Sequence, residues 1–226
     1  MAGAGLDDPA RLLQQAIDGD PDLRERFADA RMTAVPVVLI NDSVPGSGLP
    51  TVTTAHRLGS RMAAEHLVEL GHRRIGHIGA PADQASAAQR RQGVRDALRG
   101  TEFPEPVVVT GDGKVAGGFA AAQELVEAGV TGIVAYNDLT AIGALRALRR
   151  AGIPVPGRVS VVGFDDIEMA AWTEPPLTTI RQPTTTLGGW AVKRLIGALR
   201  DDGRQAERAS LVPELIVRAS TGPPPA

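Results

Sequence analysis

From residue 35 onward, short apolar runs alternate with stretches whose apolar positions recur every three to four residues, which predicts alternating strands and helices. "VPVVLIN" (35 to 41) predicts the first strand, and "TVTT" (51 to 54) a second, short extended segment. In "AHRLGSRMAAEHLVELGH" the period changes: Leu58, Met62, His66 and Leu70 are spaced by four, with Ala63 and Leu67 beside them, so one helical face is mostly apolar. Gly71 supplies its C-terminal stop. Strand "RIGHIG" (74 to 79), helix "AQRRQGVRDALRG" (88 to 100), strand "VVVTGD" (107 to 112) and helix "AGGFAAAQELVEAG" (116 to 129) repeat the pattern. Strand "GIVAYN" then ends at Asn137, and "DLTAIGALRALRRAG" is a helix with Ile142, Leu145 and Leu148 inward and Gly152 after its last turn. "SVVGFDD" and "LTTIRQP" are further extended segments, "TLGGWAVKRLIGALRDDG" a helix carrying Val192, Leu195, Ile196 and Leu199 on one stripe, and "ELIVR" a last strand.

These strands are near-continuously apolar, which predicts a mostly parallel sheet covered on both faces in an α/β fold. In such a sheet the ligand crevice lies beyond the carboxyl ends of the strands. The residues that end the strands are Asn41, Gly79, Asp112, Asn137, Asp165 and Gln182, a polar cup. Asp138 falls at a helix start and reads as an N-cap, whereas Asn137 lies one residue too early to cap simply. Asp165 and Asp166 are adjacent, so one carboxylate can serve a turn while the other faces a ligand. Residues 1–34 fit less well: "LDDPARLLQQAI" and "LRERFADARM" read as helices or loosely ordered chain with no strand ahead of them. The proline-rich "STGPPPA" at the other end, residues 223–226 above all, reads as a mobile tail.

Composition narrows the function classes. The 226 residues are 43% hydrophobic and 22% charged, enough for one larger or two small cores. A formal net charge of -2 argues against a strongly phosphate-binding surface, which needs clustered Lys and Arg. The absence of cysteine removes disulfides, thiolate nucleophiles and cysteine metal sites. No signal peptide or membrane-length apolar run is found, so a cytoplasmic location without membrane contact is the expectation. Four histidines, His56, His66, His72 and His77, lack the spacing of a helical metal pair; His66 reads as a packed helix residue and the others as solvated or strand residues. "GDGKVAGG" lacks the GK[ST] of a phosphate loop, and no serine sits in a nucleophile elbow. No catalytic residue, metal or cofactor is expected, and an enzyme is not required by any motif.

"EHLVELGHRRIGHIG", "YNDLTAIGALRALRRAGIPVPGRVSVVGFDD" and "PPLTTIRQP" followed by "LG" resemble the effector-binding core of the lactose-repressor (LacI/GalR) family of bacterial transcription regulators, over residues 35 to 222. The resemblance implies a type I periplasmic-binding-protein-like fold: two doubly wound α/β subdomains closing on a sugar or related small effector. It also implies homodimers and a DNA-reading helix-turn-helix ahead of the core. On this basis Arg90 matches the arginine that clamps effector hydroxyls, Asn137 and Asp165 match polar contacts at strand ends, and Gln182 matches the hinge residue. Ser86 and Asn41 complete the set, Asn41 standing where the family often has Asp. Asp166 is expected to serve structure. Gly113 stands where some sugar-binding members carry an aromatic. Residues 54–182 and 213–222 correspond to a complete C-terminal, effector-binding subdomain, and 35–53 with 183–212 to part of the N-terminal one. No helix-turn-helix signature is found in residues 1–34, so operator DNA is expected to be reached only through a domain outside this chain. A sugar solute-binding protein of a transporter, which shares the fold, is the alternative.

Overall fold

The structure is a computed structural model that describes residues 36–42, 48–82, 84, 86–200 and 207–225; the helices expected before residue 34 lie outside them. The chain divides into two compact units, of which the described parts are 36–42, 48–53 and 185–209 without 201–206 (unit 1), and 54–184 with 210–225 (unit 2).

Unit 2 is built on a six-stranded sheet. Its strands are β3 (Ile75–Gly79), β4 (Val107–Thr110), β5 (Gly132–Ala135), β6 (Ser160–Asp165), β7 (Thr178–Arg181) and β9 (Glu214–Ile216), in spatial order β4-β3-β5-β6-β7-β9. All neighbours are parallel except β9, which runs antiparallel to β7 with Ile180 opposite Leu215. Parallel neighbours need crossovers, and helices α1 (His56–Glu69), α2 (Ala87–Leu98), α3 (Val115–Glu127) and α4 (Asp138–Arg150) provide cover on both faces, while α5 (Glu168–Ala171) is one short turn after β6. The period of two along each strand sorts the two cores. Ala63, Ala64 and Leu67 of α1 and Val94 and Leu98 of α2 pack on Ile75, Val134, Val162, Phe164 and Ile180. Ala121, Leu125, Ala141, Ala144 and Leu148 of α3 and α4 pack on Ile78, Ile133 and Val161 from the other side. The close approach of α3 and α4 needs glycine on both: a Cβ at Gly118 would overlap the Thr140 carbonyl, and one at Gly143 the Val115 carbonyl.

Two expectations fail at the amino-terminal edge of this sheet. His72 is fully buried, not solvated, because Thr131, Ser160 and the Gly222 carbonyl surround it: Nδ1 lies 3.0 Å from Thr131 Oγ1, and Nε2 lies 3.0 Å from both Ser160 Oγ and Gly222 O. Residues Ser220 to Gly222, read as the start of the loose tail, are anchored. Ser220 is buried, its hydroxyl donates to Val161 O at 2.6 Å and accepts from Thr178 N at 2.8 Å, and Gly222 N donates to Ser160 Oγ at 3.1 Å. Beyond it, Pro224 lies beside Gly71. Prolines without donors tolerate this packing because the bonds are made by the residues just before them.

In unit 1, β1 (Leu39–Ile40) runs parallel to β2 (Thr51–Thr54), and β8 (Arg208–Leu211) flanks β2 on its other side. The strand expected over 35–41 is thus only two residues long. Pro36 has no N–H to give a ladder, and Asn41 leaves extended backbone with φ of 54°. Helix α6 (Thr184–Leu199) buries Leu187 and Ala191, whereas Val192, Ile196 and Leu199 of the stripe expected from the sequence are exposed.

Candidate functional site

The parallel strands of unit 2 end on one edge, and the helices that follow β3 and β5 begin there, so the first turns of α2 and α4 lie at the ends of these strands, and His56, the first residue of α1, reaches the same place through Arg90. Arg90 lies in the first turn of α2 and is 4% exposed. Its guanidinium carbon sits 3.6 Å from the Phe164 ring centroid and 4.7 Å from that of Tyr136. Aromatic faces are the apolar surface on which a guanidinium keeps some electrostatic compensation for lost water. Nη1 donates to the Tyr136 carbonyl, while Nη2 donates to His56 Nδ1 at 3.3 Å and Asp165 Oδ1 at 3.4 Å. Arg90 Nε and His56 Nε2 are buried without a partner among the described residues. Burial pushes the guanidinium down from its ordinary value, opposed by Asp165, and the group stays a cation.

The adjacent carboxylates at the end of β6 face different partners. Asp165 accepts from Gln182 Nε2 at 2.7 Å and from Arg90; burial pushes its pKa up, against the pull of Arg90 and Gln182. Asp166 is gripped by Arg181 Nε and Arg218 Nη2, each at 2.6 Å. Burial alone would raise the Asp166 pKa, but these two guanidiniums hold it below the usual range. The backbone turns sharply between the two, with φ of 123° at Asp165 and 57° at Asp166, a region L residues rarely adopt. Strain of this kind persists where surrounding bonds over-determine it, and it concentrates at binding edges. A third carboxylate, Asp138, is fully buried in the same edge. It accepts from Thr179 Oγ1 at 2.5 Å and Ile167 N at 2.9 Å, and burial raises its pKa to about 6. Glycine at 163 makes room for it, since a Cβ there would overlap Asp138 Oδ1.

The cap expected at Asp138 is made by Asn137 instead. Asn137 is the N-cap of α4: its Oδ1 accepts from Thr140 N at 2.8 Å and its Nδ2 donates to Gly113 O at 2.9 Å. The helix starts at Asp138, one residue earlier than the cap reading assumed, so Asp138 turns inward instead. Ser86 precedes α2 without a capping bond, and its hydroxyl lies 2.9 Å from the Tyr136 hydroxyl. Gln182 follows β7 and links Asp165 to Thr54, whose hydroxyl donates to Gln182 Oε1 at 2.6 Å. Asn41 ends β1 in unit 1, where its N–H donates to Val52 O at 2.9 Å. Among the described residues no group of three or more His, Cys, Asp or Glu could hold a metal ion.

Residues 64–221 match the model of the periplasmic binding protein-like domain. The chain is 41% identical over 201 residues to the HTH-type transcriptional regulator in the aml 5′ region of Streptomyces limosus, covering 87% of this chain and 57% of that protein. A solved LacI family transcriptional regulator from Mycobacterium smegmatis superposes with a TM-score of 0.81 at 32% identity, covering 92% of this chain and 76% of that one. The chain belongs to the LacI/GalR family. A second LacI family structure, from Enterococcus faecium with bound ribose, superposes with a TM-score of 0.82 at 27% identity, covering 90% and 76% of the two chains. The chain spans little more than half the length of the Streptomyces relative.

Within this LacI/GalR core, Arg90, Asp165 and Gln182 form one hydrogen-bonded network, Ser86 joins its margin through Tyr136, and Asn137 stands beside it as a cap. Asn41 belongs to the other unit. Reading the sequence missed His56, Tyr136 and Phe164. Tyr136 and Phe164 could have been found, because each directly precedes a strand-end polar residue, Asn137 and Asp165. His56 gave no such signal: it reads as the first residue of an amphipathic helix, yet it is buried against Phe164 with ring centroids 5.8 Å apart. His77 is the strand residue expected, its Nδ1 2.9 Å from Val134 O.

Proposed function

We propose that the chain is the effector-sensing core of a LacI-type bacterial transcription regulator and takes a sugar or related small polar molecule at the carboxyl edge of the unit 2 sheet. The observation that carries this reading is the Arg90 guanidinium, a buried cation stacked on two rings with one counter-carboxylate, Asp165, at 3.4 Å. A fixed fork of donors beside a carboxylate acceptor suits vicinal hydroxyls, which both donate and accept. Asp165, Gln182, Asn137 and Ser86 are the further contacts. The chain binds and does not catalyse, and it uses no cofactor or metal. The alternative of a transporter's solute-binding protein shares the fold, but the relatives named above are regulators. DNA contact is assigned to a region of the HTH type, outside the core, and a cytoplasmic location follows from that role. Among the described residues no helix is long and apolar enough to cross a membrane.

The core works as a homodimer. Met169 and Trp172, at 59% and 79% exposure, present apolar surface on and after α5, the kind of aromatic anchor that carries interface energy. Light scattering at tens of micromolar is expected to show a dimer that Trp172→Ala weakens. The effector reading is tested by thermal melts with a panel of mono- and disaccharides that includes D-ribose. At least one sugar should raise the wild-type Tm and lose its effect in Arg90→Ala and Asp165→Ala. No shift by any sugar, or equal shifts in all three proteins, overturns it.

A further inference from the structure

We propose that His56 is the positioning residue of this site: as a neutral acceptor at Nδ1 it fixes the rotation of the Arg90 guanidinium in which Nη1 serves the Tyr136 carbonyl and Nη2 faces Asp165. The inference rests on Arg90 being the effector contact, as read above.

The geometry assigns the role by counting donors. Nη2 carries two hydrogens on a planar group, directed apart, and its two acceptors are His56 Nδ1 at 3.3 Å and Asp165 Oδ1 at 3.4 Å. Occupying one hydrogen at His56 aims the other at the carboxylate. No bond at the stem end fixes its rotation, because Arg90 Nε has no partner among the described residues. Stacking on Phe164 sets the plane of the guanidinium but leaves its rotation within that plane free, so the in-plane acceptors must set it. His56 is itself fixed: it is 3% exposed, opens α1 directly after Ala55, and packs against the same Phe164 ring.

Neutrality is what suits histidine to this place. A second carboxylate at residue 56 would cancel the Arg90 charge before a ligand arrived, and a cation would repel it. Burial, and then the Arg90 charge, hold the imidazole at a pKa of about 3, so it stays an uncharged acceptor throughout the physiological range. Accepting at Nδ1 places the proton on Nε2.

The test compares His56→Phe, which keeps a ring against Phe164 but deletes the acceptor, with His56→Asn, whose Oδ1 restores an acceptor near the Nδ1 position. Nitrogen-15 spectra of the full chain without ligand report the Arg90 Nη–H signals, assigned by their loss in Arg90→Lys. Distinct, slowly exchanging Nη signals are expected in the wild type and in His56→Asn, collapsing to one averaged signal in His56→Phe. In the wild type the His56 proton is expected on Nε2. Unchanged Arg90 signals in a folded His56→Phe, or the proton on Nδ1, overturn the proposal. Should His56→Phe fail to fold, His56→Gln, which moves the acceptor to the Nε2 position, carries the same readout. Binding then separates the two readings. If a sugar stabilises the wild type, His56→Phe is expected to lose about tenfold in affinity and His56→Asn to recover most of it, and equal affinity in all three counts against positioning. If no sugar binds the wild type, the effector reading falls while the Arg90 spectra still decide the role of His56.

Discussion

The two edges of the unit 2 sheet each bury a histidine among polar groups, and they do so in opposite ways. At the amino edge every contact of His72 is neutral and both ring nitrogens are paired: Gly222 O can only accept, so Nε2 donates and Nδ1 accepts from the Thr131 hydroxyl. At the carboxyl edge His56 faces a buried cation, its Nε2 has no partner among the described residues, and three carboxylates of different character, Asp138, Asp165 and Asp166, lie nearby. Buried polar groups that are fully paired rigidify a structure, whereas unpaired ones and buried charges cost stability and persist where binding needs them. The first edge ties the carboxyl-terminal segment to the fold. The second is where the molecule keeps charge in reserve.

His72→Ala should produce the largest loss of stability, about 3 to 4 kcal/mol, from a cavity plus the lost bonds to Thr131, Ser160 and Gly222, with no effect on ligand affinity beyond unfolding. Urea denaturation of the variant, alongside ligand titration, checks both halves. Asp138→Asn should do the reverse and stabilise. The folded pKa of about 6 lies above the ordinary value of 3.8, so the folded state holds its proton more tightly and wild-type stability falls as pH rises from about 4 through 6. The gain on removing the charge should therefore approach about 3 kcal/mol at pH 7 and shrink below about 1 kcal/mol at pH 4. A gain that does not change with pH would mean that Asp138 is not the titrating group.

Arg90→Met keeps volume against Phe164 and Tyr136 while deleting the charge. It should cost about 1.5 to 3 kcal/mol of effector binding, ten- to a hundred-fold in Kd, with the ligand-free melt shifted little, because the Asp165 side chain left behind is 28% exposed and keeps its bond from Gln182 Nε2. A large drop in the ligand-free melt would make the Arg90–Asp165 pair a structural element like the His72 cluster. The smallest effect is a slope. His56 has its folded pKa depressed to about 3, so its stability contribution is complete above pH 6.5 and is lost as pH falls from there toward 3. Between pH 6.5 and 5 the wild type should lose up to about 1.4 kcal/mol per pH unit more than His56→Asn, read as the divergence of their urea midpoints.

Much of this was legible in the order of residues. A strand buried on both faces must be apolar along its length, and the residue that ends it must be polar where it meets water, so Asp165 and Gln182 stand out from the strand pattern alone. Arg90 stands out only through the family resemblance. What went wrong shows where local pattern stops. Asn137 and Asp138 are both good caps, and only the helix starting one residue earlier makes Asn137 the cap and sends Asp138 to Thr179, forty-one residues on. The tail looked loose because prolines and a glycine dominate it. Its anchorage depends on Val161, Thr178 and His72, all distant in sequence.

By itself, then, the sequence determined the alternation of strands and helices, the double cover of the sheet, the edge that carries the polar strand ends and the family, because these depend on periodicity and on the residue types at strand ends. The tertiary structure alone decided that Asp165 meets Arg90 while its neighbour Asp166 meets Arg181 and Arg218, that Phe164 and Tyr136 support the guanidinium, and that one buried histidine holds the segment at Gly222 while another holds a charge. Each of these turns on contacts between residues on different strands and helices, and the sign of a buried group's energy depends on what surrounds it.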